Sequence, residues 1–242
     1  METCKIVVTG AASGIGRAFC EYALTKGTEE RRLEIYGIDK EPYQEKMSHD
    51  IHGQYASFYP EFGDVRDVKT FPIIPNVNVL INNAGIQGDE TINCWNDVIA
   101  TNLTGVRNCA EFYALHNRHI KSIVNLASVS AHTGAEFSAY IASKGGVLAY
   151  TKRIAKQLAP IATCNSISFG GVVTPLNTPV LADRELWHQI MDETPMKRWA
   201  TSEEAAEWIW FVSMVNKSMT AQDLVIDNGE MFNHNFVWTV NE

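Results

Sequence analysis

The stretch Lys5-Ile-Val-Val-Thr-Gly-Ala-Ala-Ser-Gly-Ile-Gly16 joins a short apolar run to a glycine-rich turn. Beyond the turn, apolar residues recur at the i, i+3, i+4, i+7, i+8 spacing of a helix: Ile15, Ala18, Phe19, Tyr22 and Ala23. Gly27 follows them and is typical of a helix end. The segment therefore predicts a strand, a tight turn and a helix in that order.

The turn itself is a candidate phosphate site. Its glycines let backbone approach a pyrophosphate, and the N-terminus of the next helix presents free N–H groups and a positive dipole end. Glycines at the spacing G-x-x-x-G-x-G also make ordinary tight turns, so it is the position between strand and helix that favours a dinucleotide. The residues expected to contact such a ligand are Gly10, Ser13, Gly14, Ile15 and Gly16.

Further apolar runs alternate with helical patterns along the whole chain. The predicted strands are Lys5–Thr9, Leu33–Asp39, Tyr55–Tyr59, Val77–Asn82, Ser122–Ala127, Cys164–Phe169 and Leu224–Ile226. Several lack polar/apolar alternation, as expected for parallel strands covered on both faces. The expected fold class is α/β, a doubly wound (Rossmann-like) parallel seven-stranded sheet with helices on both faces, forming one domain over residues 1–242.

Two local features refine this outline. Thr201-Ser-Glu-Glu204 resembles a capping box and predicts the start of a late helix. Pro72 and Pro75 leave little room for a full crossover helix before the strand at Val77–Asn82, although parallel strands usually need one. A short or irregular connection is therefore predicted between Asp64 and Leu80.

Composition excludes several classes of protein. The 242 residues are 45% hydrophobic, which is enough for one large buried core. A net charge of -8 argues against a nucleic-acid binder, which needs a basic stripe. No apolar run approaches the ~18 residues that span a bilayer, and Met1 leads directly into a strand without a signal-peptide pattern. Five scattered cysteines without a C-x-x-C motif indicate a reducing compartment, so a cytoplasmic protein is expected.

Asp39 ends the second predicted strand, where an acid can bond the ribose hydroxyls of NAD. The same carboxylate would repel the 2′-phosphate of NADP, since two unit charges ~4 Å apart interact by about 1–4 kcal/mol. That energy corresponds to a preference of about ten- to several-hundred-fold. Lys40 follows the acid and offers a cation to a phosphate, so NAD is favoured over NADP without the latter being excluded.

Tyr140 and Lys144 are four residues apart, and Ser128 lies twelve residues upstream of the tyrosine. On a helix, positions i and i+4 share a face, so a phenol and an ammonium are brought together. A free tyrosine has a pKa near ~10, and a neighbouring cation favours the phenolate. The pair is therefore a candidate general acid/base, although a surface Tyr and Lys on a polar helix would show the same pattern.

These residues, in this order, resemble the short-chain dehydrogenase/reductase family, and the likeness runs nearly from end to end. The family's nucleotide turn is similar to Thr9–Gly16. Its other motifs are similar to Gly63-Asp-Val65, Asn82-Asn-Ala-Gly85, Thr101-Asn-Leu-Thr-Gly105, Asn125-Leu-Ala-Ser128, the Tyr140/Lys144 pair, and Phe169-Gly170 followed by Val172, Thr174 and Pro175.

The chain also departs from the family pattern. Phe169 replaces a proline, Ala221 replaces a glycine, and Asn228-Gly229 stands where Gly-Gly is common. The interval from Ser128 to Tyr140 looks one residue shorter than usual. These differences concern the shape of the pocket, because every reacting side chain is present.

The resemblance implies reversible hydride transfer between a secondary alcohol or its ketone and C4 of a nicotinamide. Tyr140 would be the general acid/base, Lys144 would favour its phenolate, and Ser128 would donate a hydrogen bond to the substrate oxygen. Asn102 would hold a water that passes the proton onward. Besides the turn, Asp39, Tyr140 and Lys144, the implied cofactor contacts are Asp64, Val65, Asn83, Ala84, Gly85, Val172 and Thr174.

Residues 176–199 are expected to form a lid over the substrate, with an ordinary helical excursion as the alternative. The substrate-pocket candidates are Gln87, Ser128, Tyr140, Trp187 and Met191. By the resemblance, the protein is expected to be a homodimer or homotetramer with a small alcohol or ketone as substrate. The apolar tail Phe232–Glu242, which includes Phe236 and Trp238, is expected to dock on its own subunit or on a neighbour.

Two other functions stay open at this point. One is a 3-oxoacyl-(acyl carrier protein) reductase using NADPH, for which the basic cluster Lys152, Arg153 and Lys156 would serve as a docking patch. The other is a catalytically silent nucleotide-binding regulator, against which the intact Ser128, Tyr140 and Lys144 argue. A metal site is not expected, because the H-x-x-H pairs His49/His52 and His116/His119 have no nearby residues to complete one.

Overall fold

The computed structural model describes residues 2–43, 47, 49–88, 92–135 and 137–232. Its strands are β1 Glu2–Thr9, β2 Arg31–Asp39, β3 Ile51–His52, β4 Ala56–Phe62, β5 Val79–Asn82, β6 Ser122–Ser128, β7 Thr163–Phe169, β8 Val172–Val173, β9 Ala200–Thr201 and β10 Asp223–Ile226. Its α-helices are α1 Gly14–Leu24, α2 Ile92–Ile99, α3 Gly105–Tyr113, α4 Ser130–Thr133, α5 Ser138–Leu158, α6 Thr178–Ala182, α7 Arg184–Glu193 and α8 Ser202–Trp210. Short π-helices at Ala100–Thr104 and Phe211–Val215 follow α2 and α8, and 3-10 turns occupy Val68–Thr70, Pro175–Asn177 and Glu230–Phe232.

The main sheet confirms the predicted fold class but has eight strands, in the order β10-β7-β6-β5-β1-β2-β4-β3. The seven predicted strands are all present and pair in parallel. The expectation of seven strands missed β3, which is antiparallel to β4. It has two residues, too few for a periodic signal. A separate ladder pairs β8 with β9 beside the main sheet.

Strand β1 explains why this sheet is covered on both faces. Ile6, Val7 and Val8 are all fully buried, and successive side chains point to opposite faces. Ile6 and Val8 join a core that includes Phe19 of α1 and residues of α8, while Val7 joins a second core that includes residues of α3 and α5. The continuous apolar run is thus shared between two helical layers.

The connection from β4 to β5 contains only the 3-10 turn Val68–Thr70, which confirms the predicted irregular segment. It is held against α3, because the Phe71 ring stacks on Tyr113 at 5.7 Å and the Tyr113 hydroxyl donates to Pro72 O at 3.0 Å. The predicted capping box of α8 is also present. Its Thr201 side chain accepts from Glu204 N at 3.2 Å, and the Glu204 carboxylate accepts from Thr201 N at 2.9 Å.

Several other expectations concern the chain as a whole. All five cysteines are free thiols, as predicted, and burial raises the pKa of Cys4 to about 11. In the described ranges, no helix is long and apolar enough to cross a membrane. Phe232 is exposed, and the rest of the tail, with Phe236 and Trp238, lies outside the described residues.

The sheet order places a crevice at the carboxyl ends of β1 and β5. Strand β1 pairs with β2 on one side and with β5 on the other. The connection after β1 therefore runs towards β2, whereas the connection after β5 runs the opposite way, towards β6. In open α/β sheets, ligands bind outside the strand ends at such a switch point. The glycine turn follows β1 and the Asn82-Asn-Ala-Gly85 segment follows β5, so both lie there.

Candidate active site

A cavity of ≈ 1010 Å³ opens at these strand ends and reaches from the glycine turn to α5. The predicted cofactor residues that line it are Gly10, Ser13, Gly14, Ile15, Asp39, Asp64, Val65, Asn83, Ala84, Gly85, Tyr140, Lys144, Val172 and Thr174. Ser128 and Gln87 line it as well. Among the described residues, its wall does not include Gly16, Asn102, Trp187 or Met191. Most of the predicted site is therefore gathered around one space.

The glycine turn is shaped by its contacts with the end of β5. Gly10 adopts φ +66° and Gly14 φ +53°, conformations that favour glycine. The Asn83 amide donates to Thr9 O and to Gly10 O, each at 2.9 Å. Gly16 lies beneath the turn, where a Cβ would collide with the Gly10 carbonyl oxygen. Its role is close packing, and this explains its place outside the cavity wall.

The N-terminus of α1 is suited to an anion. Ser13 is the N-cap residue, yet its side chain makes no capping hydrogen bond to the helix. The first N–H groups of a helix have no partner within the helix, and they point outward with the positive end of its dipole. Ser13, Gly14 and Ile15 all line the cavity, so the turn fits a pyrophosphate.

Asp39 is held beside this turn by two backbone donors. Its carboxylate accepts from Ala12 N at 2.9 Å and from Glu41 N at 3.0 Å, and the side chain is half-buried. Lys40, by contrast, is exposed and pairs with Glu41 at 3.4 Å. The acid is thus fixed at the cavity wall, while the cation is paired with its neighbour.

Asp64 also lines the cavity, but a guanidinium already occupies its carboxylate. Arg66 Nη2 lies 2.6 Å from Asp64 Oδ2, and Arg66 Nε contacts both carboxylate oxygens at 3.0 Å. Hydrogen bonds from Arg66 hold the pKa of Asp64 below its usual range. Arg66 also lines the cavity, although the sequence analysis selected only Asp64 and Val65 in this segment.

Tyr140 and Lys144 lie on one face of α5, as their spacing predicts. Lys144 is 5% exposed, and its Nζ is 5.5 Å from the centroid of the Tyr140 ring. The same Nζ donates to Leu126 O of β6 at 2.8 Å, which gives the buried ammonium a polar partner. The cation is therefore anchored to the strand that ends at Ser128.

Ser128 is bonded to a second serine that the sequence analysis did not select. Ser128 Oγ is 2.9 Å from Ser130 Oγ and accepts from Ser130 N at 3.2 Å. Both serines are buried and line the cavity. The S-x-S spacing at the end of a buried strand was the available signal for Ser130.

Asn102 lies in the π-helix Ala100–Thr104. Its amide accepts from Ile86 N and donates to Ile86 O, both at 2.8 Å, and it also donates to Ser143 Oγ at 3.1 Å. The side chain thus ties the loop after β5 to α5. These hydrogen bonds indicate that the Asn102 amide holds the loop after β5 in position. The proposal that Asn102 also holds a water stays a prediction.

Residues 176–199 form a 3-10 turn followed by α6 and α7, and they cover one side of the cavity. The helix α7 turns Leu186 and Ile190 towards the cavity instead of the predicted Trp187 and Met191. Each pair is spaced i, i+4 and so shares one face of the helix. The two faces are adjacent, so the rotation of α7 about its axis decides which pair points into the cavity. Trp187 instead packs edge-on against Trp199 at 5.1 Å, and Met191 is buried.

Two other kinds of polar cluster could carry chemistry among the described residues, namely metal-binding groups and the cluster around His132. Within the described ranges, no group of three His, Cys, Asp or Glu side chains is placed to hold a metal ion. His132 Nε2 lies 2.8 Å from Asp223 Oδ2 and 3.2 Å from Ser168 Oγ. Because one nitrogen faces both groups, the arrangement cannot relay a proton from serine to acid as a nucleophilic triad does.

This chain is similar to several known proteins in sequence and in fold. A family profile described as enoyl-(acyl carrier protein) reductase matches residues 68–230. The NADP-dependent mannitol dehydrogenase of Alternaria alternata is 33% identical, over 93% of this chain and 91% of its own. The 3-oxoacyl-(acyl-carrier-protein) reductase of Chlamydia pneumoniae is also 33% identical, over 93% of this chain and 96% of its own. The aldohexose dehydrogenase structure from Thermoplasma acidophilum superimposes with a TM-score of 0.72 at 27% identity, covering 96% of this chain and 95% of that one.

Proposed function

Because the chain belongs to the short-chain dehydrogenase/reductase family of oxidoreductases, we propose that it interconverts a secondary alcohol and a ketone with NAD(H). One observation carries this proposal. The glycine turn and Asp39 line the same cavity as Ser128, Tyr140 and Lys144. A dinucleotide bound at the turn would therefore reach the side chains expected to move the proton.

The residues of the site would divide the chemistry as follows. When bound, the nicotinamide supplies the hydride donor or acceptor. In ketone reduction Tyr140 gives its phenolic proton to the substrate oxygen, and in alcohol oxidation it takes that proton back. The Lys144 ammonium, 5.5 Å from the ring centroid, favours the phenolate form electrostatically. Ser128 donates a hydrogen bond to the substrate oxygen and fixes its position.

The preference for NAD over NADP rests on Asp39. Two backbone hydrogen bonds hold its carboxylate near the glycine turn, where a 2′-phosphate would meet a fixed negative charge. Because Lys40 is paired with Glu41, its positive charge offsets less of that repulsion. The mannitol dehydrogenase relative uses NADP by its name, so a measured preference for NADH would distinguish this chain from that relative.

The proposal extends to the rest of the molecule. We propose that residues 1–242 act as one domain, with 176–199 as a lid that excludes water during hydride transfer. A homodimer or homotetramer, as is common in the family, is proposed for the assembly. The free thiols are consistent with a cytoplasmic protein.

A 3-oxoacyl-(acyl carrier protein) reductase is the second candidate. Sequence identity to the Chlamydia pneumoniae enzyme equals that to the mannitol dehydrogenase, so the comparisons favour neither substrate. Lys152, Arg153 and Lys156 are all exposed on α5, as a docking patch for an acidic carrier would require. The acidic net charge of -8 and Asp39 count against this candidate.

The test compares NADH and NADPH oxidation across a panel of ketones that includes acetoacetyl thioesters. Tyr140→Phe should remove nearly all turnover while NADH still binds, because only the phenolic proton is lost. Tyr150→Phe is the matched control, since Tyr150 lies on the same helix but outside the cavity wall. Substantial turnover by the Tyr140 variant would contradict the acid/base assignment, and selective activity on thioesters with NADPH would favour the second candidate.

A further inference from the structure

Glu230 touches the loop that connects β7 to the lid. Its carboxylate accepts a hydrogen bond from Gly171 N, at 3.0 Å for Oε1 and 3.2 Å for Oε2. This loop begins beside Ser128, since Phe169 O accepts from Val129 N at 3.0 Å, and its residues Val172 and Thr174 line the cavity. Glu230 itself lines the same cavity, although no motif in the sequence pointed to it.

The position of Glu230 is set by a carboxylate that caps its own turn. Asp227 accepts from Gly229 N at 2.9 Å and from Met231 N at 2.7 Å, and so closes the chain just after β10. Asn228 and Gly229 both take positive φ values, 55° and 88°, which turn the backbone sharply. Glu230 is thereby held at the start of a 3-10 turn and faces the Gly170-Gly171 segment.

Gly171 also packs closely against the side chain of Trp199. A Cβ at Gly171 would collide with the Trp199 indole, so only glycine fits there. Gly171 O also accepts from Ala200 N at 3.1 Å, and the Trp199 ring contacts Trp187 of α7 at 5.1 Å. The loop is thus clamped between Glu230 and the residues that support the lid.

We propose that Glu230 is a positioning residue that holds the loop 170–174 in register with the nicotinamide end of the bound cofactor. This rests on the proposed function, because the loop begins beside Ser128, where the substrate oxygen and the nicotinamide would meet. A charge-assisted hydrogen bond to a backbone N–H restrains the loop more strongly than a neutral one. Loss of that restraint would disturb the hydride-transfer geometry, while the adenosine end, at Asp39 and the glycine turn, would bind as before.

The experiment compares Glu230→Ala with Glu230→Gln, whose amide oxygen can still accept from Gly171 N. We expect the alanine variant to lose about 10- to 100-fold in kcat and to weaken NADH binding. Binding of ADP, which reports the adenosine end alone, should change less than about twofold. The glutamine variant should recover most of both losses. Met231→Ala is the control, because it alters the same turn without removing the hydrogen bond.

Three results would overturn the proposal. The first is wild-type kcat and NADH affinity in the alanine variant, and the second is an equal loss of ADP and NADH affinity, which would indicate general damage to the fold. The third is a glutamine variant as impaired as the alanine variant. If no ketone is turned over by the wild-type protein, the proposed function fails, whereas the ratio of NADH to ADP affinity still tests Glu230.

Discussion

Replacement of Asp39 by asparagine tests the electrostatic basis of cofactor choice. Asparagine has nearly the same shape, and its amide oxygen can still accept from Ala12 N, which lies 2.9 Å from the carboxylate in the structure. The change removes a negative charge from the cavity wall and gives up the hydrogen bond from Glu41 N, while the one from Ala12 N in the glycine turn is kept. Asp39 is half-buried, so this charge is only partly screened by solvent.

The size of the effect follows from Coulomb's law. At ~4 Å between the carboxylate and a 2′-phosphate, the repulsion is about 1–4 kcal/mol for effective dielectrics of 80 to 20. Because ~1.4 kcal/mol is a factor of ten, Asp39→Asn should raise the kcat/KM ratio of NADPH to NADH by about five- to several-hundred-fold. Most of the change should come from faster use of NADPH, since the ribose hydroxyls of NADH can still bond to an amide.

The assay is steady-state oxidation of NADH and NADPH with one ketone, at low and at high ionic strength. Glu41→Gln is the comparison variant, because it removes one negative charge from the same cavity wall at a side chain that is 66% exposed, and it also releases Lys40 from its ion pair. Surface pairs of this kind are worth ~0–1 kcal/mol, so the ratio should change by less than about fivefold. A wild-type preference for NADPH, or equal effects of the two variants, would refute the reasoning.

Two further predictions concern stability. Thr151→Val should lower the free energy of unfolding by about 1–3 kcal/mol in urea, because the buried Thr151 hydroxyl accepts from the Asn125 amide at 2.8 Å. Thr151→Ser, which keeps the hydroxyl, should cost less, and equal losses would contradict this explanation. Asp64→Asn should reduce stability at neutral pH, since Arg66 lowers the pKa of Asp64 below its usual 3.8 in the folded state. That contribution is present above pH 3.8 and is lost as the pH falls through the lower folded pKa, so wild type and variant should converge in acid urea titrations.

Local patterns in the chain predicted most of the fold and much of the candidate site. The seven parallel strands and the first helix follow from apolar runs and their periods, which depend on residues close in sequence. Tyr140 and Lys144 face each other because a helix brings i and i+4 together, whatever surrounds it. The two-residue strand β3 was missed for the converse reason, since it exists only through its pairing with β4.

The parts that the sequence did not reveal depend on contacts between distant segments. Glu230 meets Gly171 across 59 residues, and no short pattern links them. The amide of Asn102 is occupied by Ile86, which only the packing of the π-helix against the loop after β5 brings about.

The amino-acid sequence by itself determined the order of strands and helices, the glycine turn and the shared helix face of Tyr140 and Lys144, because short-range backbone and side-chain geometry specifies them. The tertiary structure alone decided that Leu186 and Ile190, rather than Trp187 and Met191, face the cavity. It also decided that Arg66 accompanies Asp64 and that Glu230 clamps the Gly170-Gly171 loop. Helix rotation and long-range hydrogen bonds are set by what packs against an element, and that information is absent from the element's own residues.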